Sequence, residues 1–152
     1  MNLIEFARTL IDIESTTGAE GEVARVLAAE LTALGYRVSP QPLANGRANI
    51  IATLDEPVVV FSTHFDCVPP FFPSRVEGDR LYGRGACDAK GILAAQVAAA
   101  ERLRRAGEQR IGLLFVVGEE RGSDGARCAN ELAGGCRYLI DGERTKGFVP
   151  AG

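Results

Sequence analysis

The sequence predicts an α/β fold, a mainly parallel sheet flanked by helices, and three observations carry that prediction. From Val58 onward, short β-branched or apolar runs alternate with segments of helical period, the order that builds parallel strands through right-handed crossovers. The run "IGLLFVV", Ile111 to Val117, is apolar at every position, as expected of a strand covered on both faces. Residues able to do chemistry follow these runs directly, where open α/β sheets bind ligands.

The elements can be justified in chain order. Leu3, Phe6, Ala7 and Leu10 recur at helical spacing, as do Val23, Val26, Leu27, Leu31 and Leu34, and Gly35 closes the second helix. Between them "ESTTGAEGE" reads as a loop, with Thr17 and Glu20 spaced as a capping box for the second helix. "NIIATL" and "VVVFS", split by "DEP", predict a strand pair joined by a turn. "AKGILAAQVAAAERLRRAG" carries Leu93, Val97 and Ala100 on one stripe, and "DGARCANELAGG" ends in paired glycines; both predict helices. "RYLID", Arg137 to Asp141, predicts a further strand. No repeat, low-complexity tract or linker divides residues 1–152, which read as one domain.

Composition excludes several classes of function. Across 152 residues, 46% are hydrophobic and 24% charged, the balance of a globular protein rather than a disordered one. A formal charge of −3 argues against a nucleic-acid partner, because phosphate-binding surfaces are basic. No apolar run approaches the roughly 20 residues needed to cross a bilayer, and "MNLIEFARTLIDIE" has acids where a secretion signal has positive charge; a cytoplasmic address is the expectation. Cys67, Cys87, Cys128 and Cys136 form no CxxC pair and read as free thiols of a reducing compartment.

The polar residues after the strands should converge on one rim. His64 and Asp66 follow "VVVFST", Glu119 and Glu120 follow "IGLLFVVG", Glu143 follows "RYLIDG", and Asp88 precedes the long helix. Acids crowded into one crevice repel one another and lose hydration, a conflict that a divalent cation resolves. Imidazole with carboxylates suits zinc or cobalt, with manganese as a further candidate, whereas an all-oxygen cage favours magnesium or calcium. Alternate residues of an extended segment point the same way, so Asp66 can orient the imidazole of His64. Asp88 is short enough to bridge two cations. Of the adjacent Glu119 and Glu120, one can hold metal while the other takes a proton from a water that the cation has acidified.

Each feature also has a plainer reading. A lone histidine at a strand end can be a satisfied polar residue, and an acidic pair before a helix can simply complement the helix dipole. Cys67 or Cys87 as a nucleophile would need the single histidine as its base. "GRGACDAKG" offers a glycine-rich loop before a helix, but it matches neither phosphate-binding pattern, which weakens a nucleotide-binding reading.

"THFDCVPP", "LYGRGACDAKG", "VVGEERGSDGA" and "YLIDGERT", in this order, together with "LIDIESTTGAEGEV", resemble the co-catalytic zinc metallopeptidase family of acetylornithine deacetylase, succinyl-diaminopimelate desuccinylase, aminoacylase and carboxypeptidase G. The resemblance implies that His64 binds one metal, Asp88 bridges two and Glu120 binds the other, with Glu119 as general base and Asp66 holding His64. Glu143 matches the family's "GEPT" ligand although Arg144 replaces the proline, and Asp141 is the alternative. The implied activity is hydrolysis of the amide bond of an N-acyl amino acid or small peptide, deacetylase-, desuccinylase- or carboxypeptidase-like.

Against the family's pattern, these residues are expected to stop short of its lid or dimerisation domain and of the C-terminal half of the catalytic domain, which supplies a further histidine. His64 is the only histidine here. The expectation is therefore an N-terminal portion of a catalytic domain that binds one ion well, through His64, Asp88 and Glu143, and a second weakly, through Asp88 and Glu120, with impaired catalysis. Exposed apolar surface, open to self-association or to another chain, should accompany it. The alternative is a non-catalytic metal-binding or partner-associating module.

Overall fold

The computed structural model describes residues 2–131 and 136–144. Helix α1 (Leu3–Ile11) starts where Asn2 accepts hydrogen bonds from the Ile4 and Glu5 amides, and it buries Phe6, Ala7, Leu10 and Ile11. Helix α2 (Gly21–Ala33) buries Val23, Ala24, Leu27 and Leu31. It ends as its sequence predicts: Gly35 has φ +95°, the Gly35 amide bonds the Thr32 carbonyl and the Tyr36 amide bonds that of Leu31, a Schellman closure.

The predicted capping box does not form. Helix α2 begins after Glu20, which makes no side-chain cap, and the Thr17 hydroxyl instead donates to Asp66 at 2.7 Å. The hydroxyl is drawn away by a buried carboxylate, a stronger acceptor than anything local.

Among the described residues a five-stranded sheet runs in the order β1 (Arg37–Pro42), β2 (Ala48–Thr53), β6 (Ile111–Val116), β3 (Val59–His64), β7 (Tyr138–Asp141). The pairs β6–β3 and β3–β7 are parallel, while β1–β2 and β2–β6 are antiparallel. The α/β class holds, and the parallel character belongs to the half of the sheet from Val58 onward. Between β3 and β6 lie the small hairpin β4 (Arg75–Glu77) and β5 (Arg80–Tyr82), turning at Gly78, and the long helix α3 (Lys90–Arg105).

The strand pairing expected from the sequence needs correction. The segments "NIIATL" and "VVVFS" are not paired with each other, because β6 lies between them. The intervening "DEP" directs its hydrogen bonds to the residues that lead into β6: the Asp55 amide to Gln109 O and the Val58 amide to Arg110 O. The most continuously apolar strand thus takes the centre, where both of its edges are paired. Strand β1 had no signal, since "RVSPQP" contains two prolines; an edge position tolerates them.

Register separates the two faces of the sheet. Ile50 and Ala52 of β2 stand beside Phe115 and Leu113 of β6, and these four, with Ile111, are almost wholly buried against α1, α2 and α3. The alternate residues Ile51, Leu114 and Val60 face the other way and are half-buried, with Leu139 58% exposed. Among the described residues, helix α4 (Asp124–Ala129) covers only one end of that second face, so within them β6 is not enclosed on both sides as its composition suggests. The paired glycines expected to end α4 lie outside the described residues.

Candidate metal centre

Parallel strands β3, β6 and β7 present their carboxyl ends to one rim, and each delivers a functional group at its last residue or shortly after it. His64 closes β3 beside Val116 of β6. Strand β6 leaves the sheet at Gly118, whose φ of +71° favours glycine, and the chain turns at once into a 3-10 segment at Glu119–Arg121. After β7, the Gly142 amide bonds Ser62 O at 2.7 Å and its carbonyl accepts from the Thr63 hydroxyl at 2.7 Å, which anchors the chain next to Glu143. Asp88 arrives from the loop ahead of α3, two residues before that helix begins.

The imidazole of His64 is the hub. It is 2% exposed, and its Nε2 lies 3.1 Å from Asp88 Oδ1, 3.2 Å from Glu143 Oε1 and 3.7 Å from Glu119 Oε2. Its Nδ1 faces Asp66, 3.2 Å from the carbonyl oxygen and 3.3 Å from Oδ1. Among the described residues two overlapping clusters hold donor atoms within 4.8 Å of one another: His64 with Asp88 and Glu120, and His64 with Glu119 and Glu143. Asp141 belongs to neither, although it lines the adjoining hollow with Ser62 and His64. The clusters regroup the expected ligands, since Glu119 and Glu143 share one and Glu120 and Asp88 the other.

Asp66 is fully buried, and both of its oxygens are engaged. Oδ1 accepts from the Glu119 amide at 3.0 Å and faces His64; Oδ2 accepts from the Glu120 amide at 3.1 Å and the Thr17 hydroxyl at 2.7 Å. Burial raises its pKa, but the hydrogen bonds from His64, Thr17 and the Glu119 amide outweigh that and hold it below the usual carboxylate range. For His64, burial favours the neutral ring, yet the Asp66 hydrogen bond and the charges of Asp66, Glu119 and Asp88 push the pKa up to about 9. Burial, then the neighbouring acids, raises Glu119 and Glu120.

Electrostatically the rim calls for positive charge. A protonated His64 supplies some, and Arg144, with Nε 3.3 Å from Asp88 Oδ2, supplies more. Sequence reasoning missed Arg144 because only folding brings it to Asp88. It misassigned Thr17 because the local spacing pointed to a helix cap. The donor chemistry fits a divalent cation: an imidazole that on losing its proton can offer Nε2 while a carboxylate orients its far nitrogen, ringed by partly exposed acids.

Comparison with known proteins agrees with this geometry. Residues 60–149 match Peptidase family M20/M25/M40. A peptidase M20 domain-containing protein of Schizosaccharomyces pombe is 38% identical over 161 residues, covering 99% of this chain and 40% of that protein. A probable carboxypeptidase of Aspergillus clavatus is 39% identical over 141 residues, covering 82% of this chain and 31% of its own length. The crystal structure of a tripeptidase from Staphylococcus aureus superposes with a TM-score of 0.75 at 26% identity, over 92% of this chain and 43% of that one. The chain thus spans 31% to 43% of the length of these three relatives. With its ordered motifs, its sheet and its rim of imidazole and carboxylates in agreement, the chain belongs to the M20/M25/M40 family of metallopeptidases.

Proposed function

We propose that residues 1–152 are the N-terminal portion of a metallopeptidase catalytic domain that hydrolyses an amide bond in a small peptide or N-acyl amino acid. The observation that carries this reading is the convergence of His64, Asp88, Glu119, Glu120 and Glu143 at the carboxyl ends of three parallel strands. The printed names of the relatives, a carboxypeptidase and a tripeptidase, favour peptides.

His64, Asp88, Glu120 and Glu143 would hold the metal, zinc or cobalt by donor type. A bound cation would supply Lewis acidity toward the scissile carbonyl and lower the pKa of water. The chain's own residues do the rest. Asp66 fixes the imidazole so that Nε2 points into the rim. Glu119, raised by burial and by its acidic neighbours, accepts a proton from the attacking water and returns it to the departing amine. With a single histidine in the chain, a second ion has only carboxylates here, so one equivalent binds tightly and full activity needs a ligand from outside these residues.

Cys67, Cys87, Cys128 and Cys136 are all unpaired, which supports a reducing, cytoplasmic address; no described helix is long and apolar enough to cross a membrane. The half-open sheet face around Ile51, Val60, Leu114 and Leu139 supports a second reading, a metal-binding module that docks on another chain or on a second copy.

Zinc titration against a chromophoric chelator tests the reading. One tight equivalent is expected, weakened at least about 100-fold in His64→Ala; unchanged affinity in that variant overturns the ligand set. In any form of the protein that turns over, Glu119→Gln is expected to abolish hydrolysis while keeping the metal. Retained turnover would move the base elsewhere.

A further inference from the structure

We infer that Thr17 is a positioning residue of the metal centre, acting through Asp66 on both His64 and the backbone that carries Glu119 and Glu120. The inference rests on the metal-centre reading above and extends it to the N-terminal loop.

Three observations carry it. First, Thr17 does not perform the role its sequence context suggests. Helix α2 starts without a side-chain cap, Glu20 bonds back to the Gly18 amide at 2.8 Å, and the Thr17 hydroxyl reaches across 49 positions to Asp66 Oδ2. A local rule broken without local compensation marks a constraint imposed from elsewhere in the fold.

Second, the loop is built to hold that hydroxyl in place. The Thr17 amide bonds Cys67 O at 3.2 Å, the Cys67 amide bonds Ser15 O at 3.0 Å, and the Ser15 hydroxyl donates to Phe65 O at 2.8 Å. Residues 15–17 thus run alongside residues 65–67 and bracket Asp66. Third, Thr17 is the one side-chain donor on Asp66 Oδ2 among the described residues; the other donor to that oxygen is the Glu120 amide.

The physical consequence concerns rotation of the carboxylate. With Oδ2 held from two sides, Oδ1 is kept toward His64 Nδ1 and the Glu119 amide. Without the hydroxyl, a buried carboxylate oxygen loses a charge-assisted bond and the group is free to turn toward other donors. His64 Nδ1 is then held by the Asp66 carbonyl alone, and the Glu119–Glu120 turn loses an anchor.

The test uses the 152-residue chain with zinc as the probe. Thr17→Val keeps the branched shape and removes the donor. Because Thr17 stands one step behind the imidazole's own partner, its zinc affinity is expected to fall by about three- to tenfold, below the usual range for such partners. Thr17→Ser is expected within about twofold of the parent, since the donor is restored. The single histidine gives a second readout: nitrogen-15 NMR of the metal-free chain should show a slowly exchanging His64 Nδ1 proton that exchanges faster in Thr17→Val and recovers in Thr17→Ser. If Val at position 17 does not fold, Thr17→Ala is measured in the same way.

Unchanged affinity and unchanged exchange in the Val variant, with zinc binding that His64→Ala still removes, would overturn the inference. Zinc binding indifferent to His64→Ala would sink the metal-centre reading instead, and the proton exchange would still decide whether Thr17 positions His64.

Discussion

The two faces of the sheet are built from alternate residues of the same strands, yet they do different work. On the helix-covered face, Ile50, Ala52, Ile111, Leu113 and Phe115 are at most 3% exposed and form one core with α1, α2 and α3. On the other face, Ile51, Val60 and Leu114 are half-buried, and the same set of alternate positions ends in His64. The difference teaches that stability and chemistry are separated by a single residue step, because side chains on a strand alternate. The first face holds the strands in register; the second uses that register to present the histidine.

The sharpest way to break this comparison is to truncate neighbours on β6. Leu113→Ala should cost about 2–5 kcal/mol, since it opens a cavity in a closed core. Leu114→Ala should cost about 1 kcal/mol or less, because the side chain already meets solvent. Urea unfolding monitored by circular dichroism measures both. Equal costs would mean that the open face is packed as tightly as the core.

A second test addresses the rim through pH. In the metal-free chain the folded-state pKa of His64 is raised from 6.5 to about 9. Its contribution to stability is therefore complete below pH 6.5 and is lost as pH rises through about 9. Stability relative to His64→Gln should decline across that window, as read by thermal melts. Zinc must displace the same proton, so its affinity should climb by about tenfold per pH unit over the window and then level off. A flat difference between parent and variant would remove His64 from the charged rim.

The smallest effect is expected at the exposed strand β7. Leu139→Ser should change stability by no more than about 0.5 kcal/mol. If the open face mediates association, the same change should lower the apparent mass in light scattering at high concentration. A chain that is monomeric at all concentrations before and after the change would leave the face without a self-partner.

Much of the fold was legible because the period of apolar residues records which face each element buries. Both N-terminal helices, the Gly35 stop, the long α3 and the central β6 follow from that pattern. Strand β1 was not legible, since its prolines mask strand character and only an edge position makes them acceptable. The order of strands was hidden as well: "DEP" looks like a hairpin turn, and whether another strand inserts depends on hydrogen bonds made some fifty residues away.

For the site, the sequence by itself determined which residues arrive at the rim, because strand ends and helix starts are local features and His64, Asp66, Asp88, Glu119, Glu120 and Glu143 sit at them. Only the tertiary structure decided how those groups divide into clusters, that Glu143 rather than Asp141 faces the imidazole, that Arg144 meets Asp88, and that Thr17 serves Asp66 instead of its own helix. The physical reason is range. Periodicity and capping act over a few residues, whereas the orientation of a buried carboxylate is settled by whichever donors the packed elements bring within about 3 Å of it.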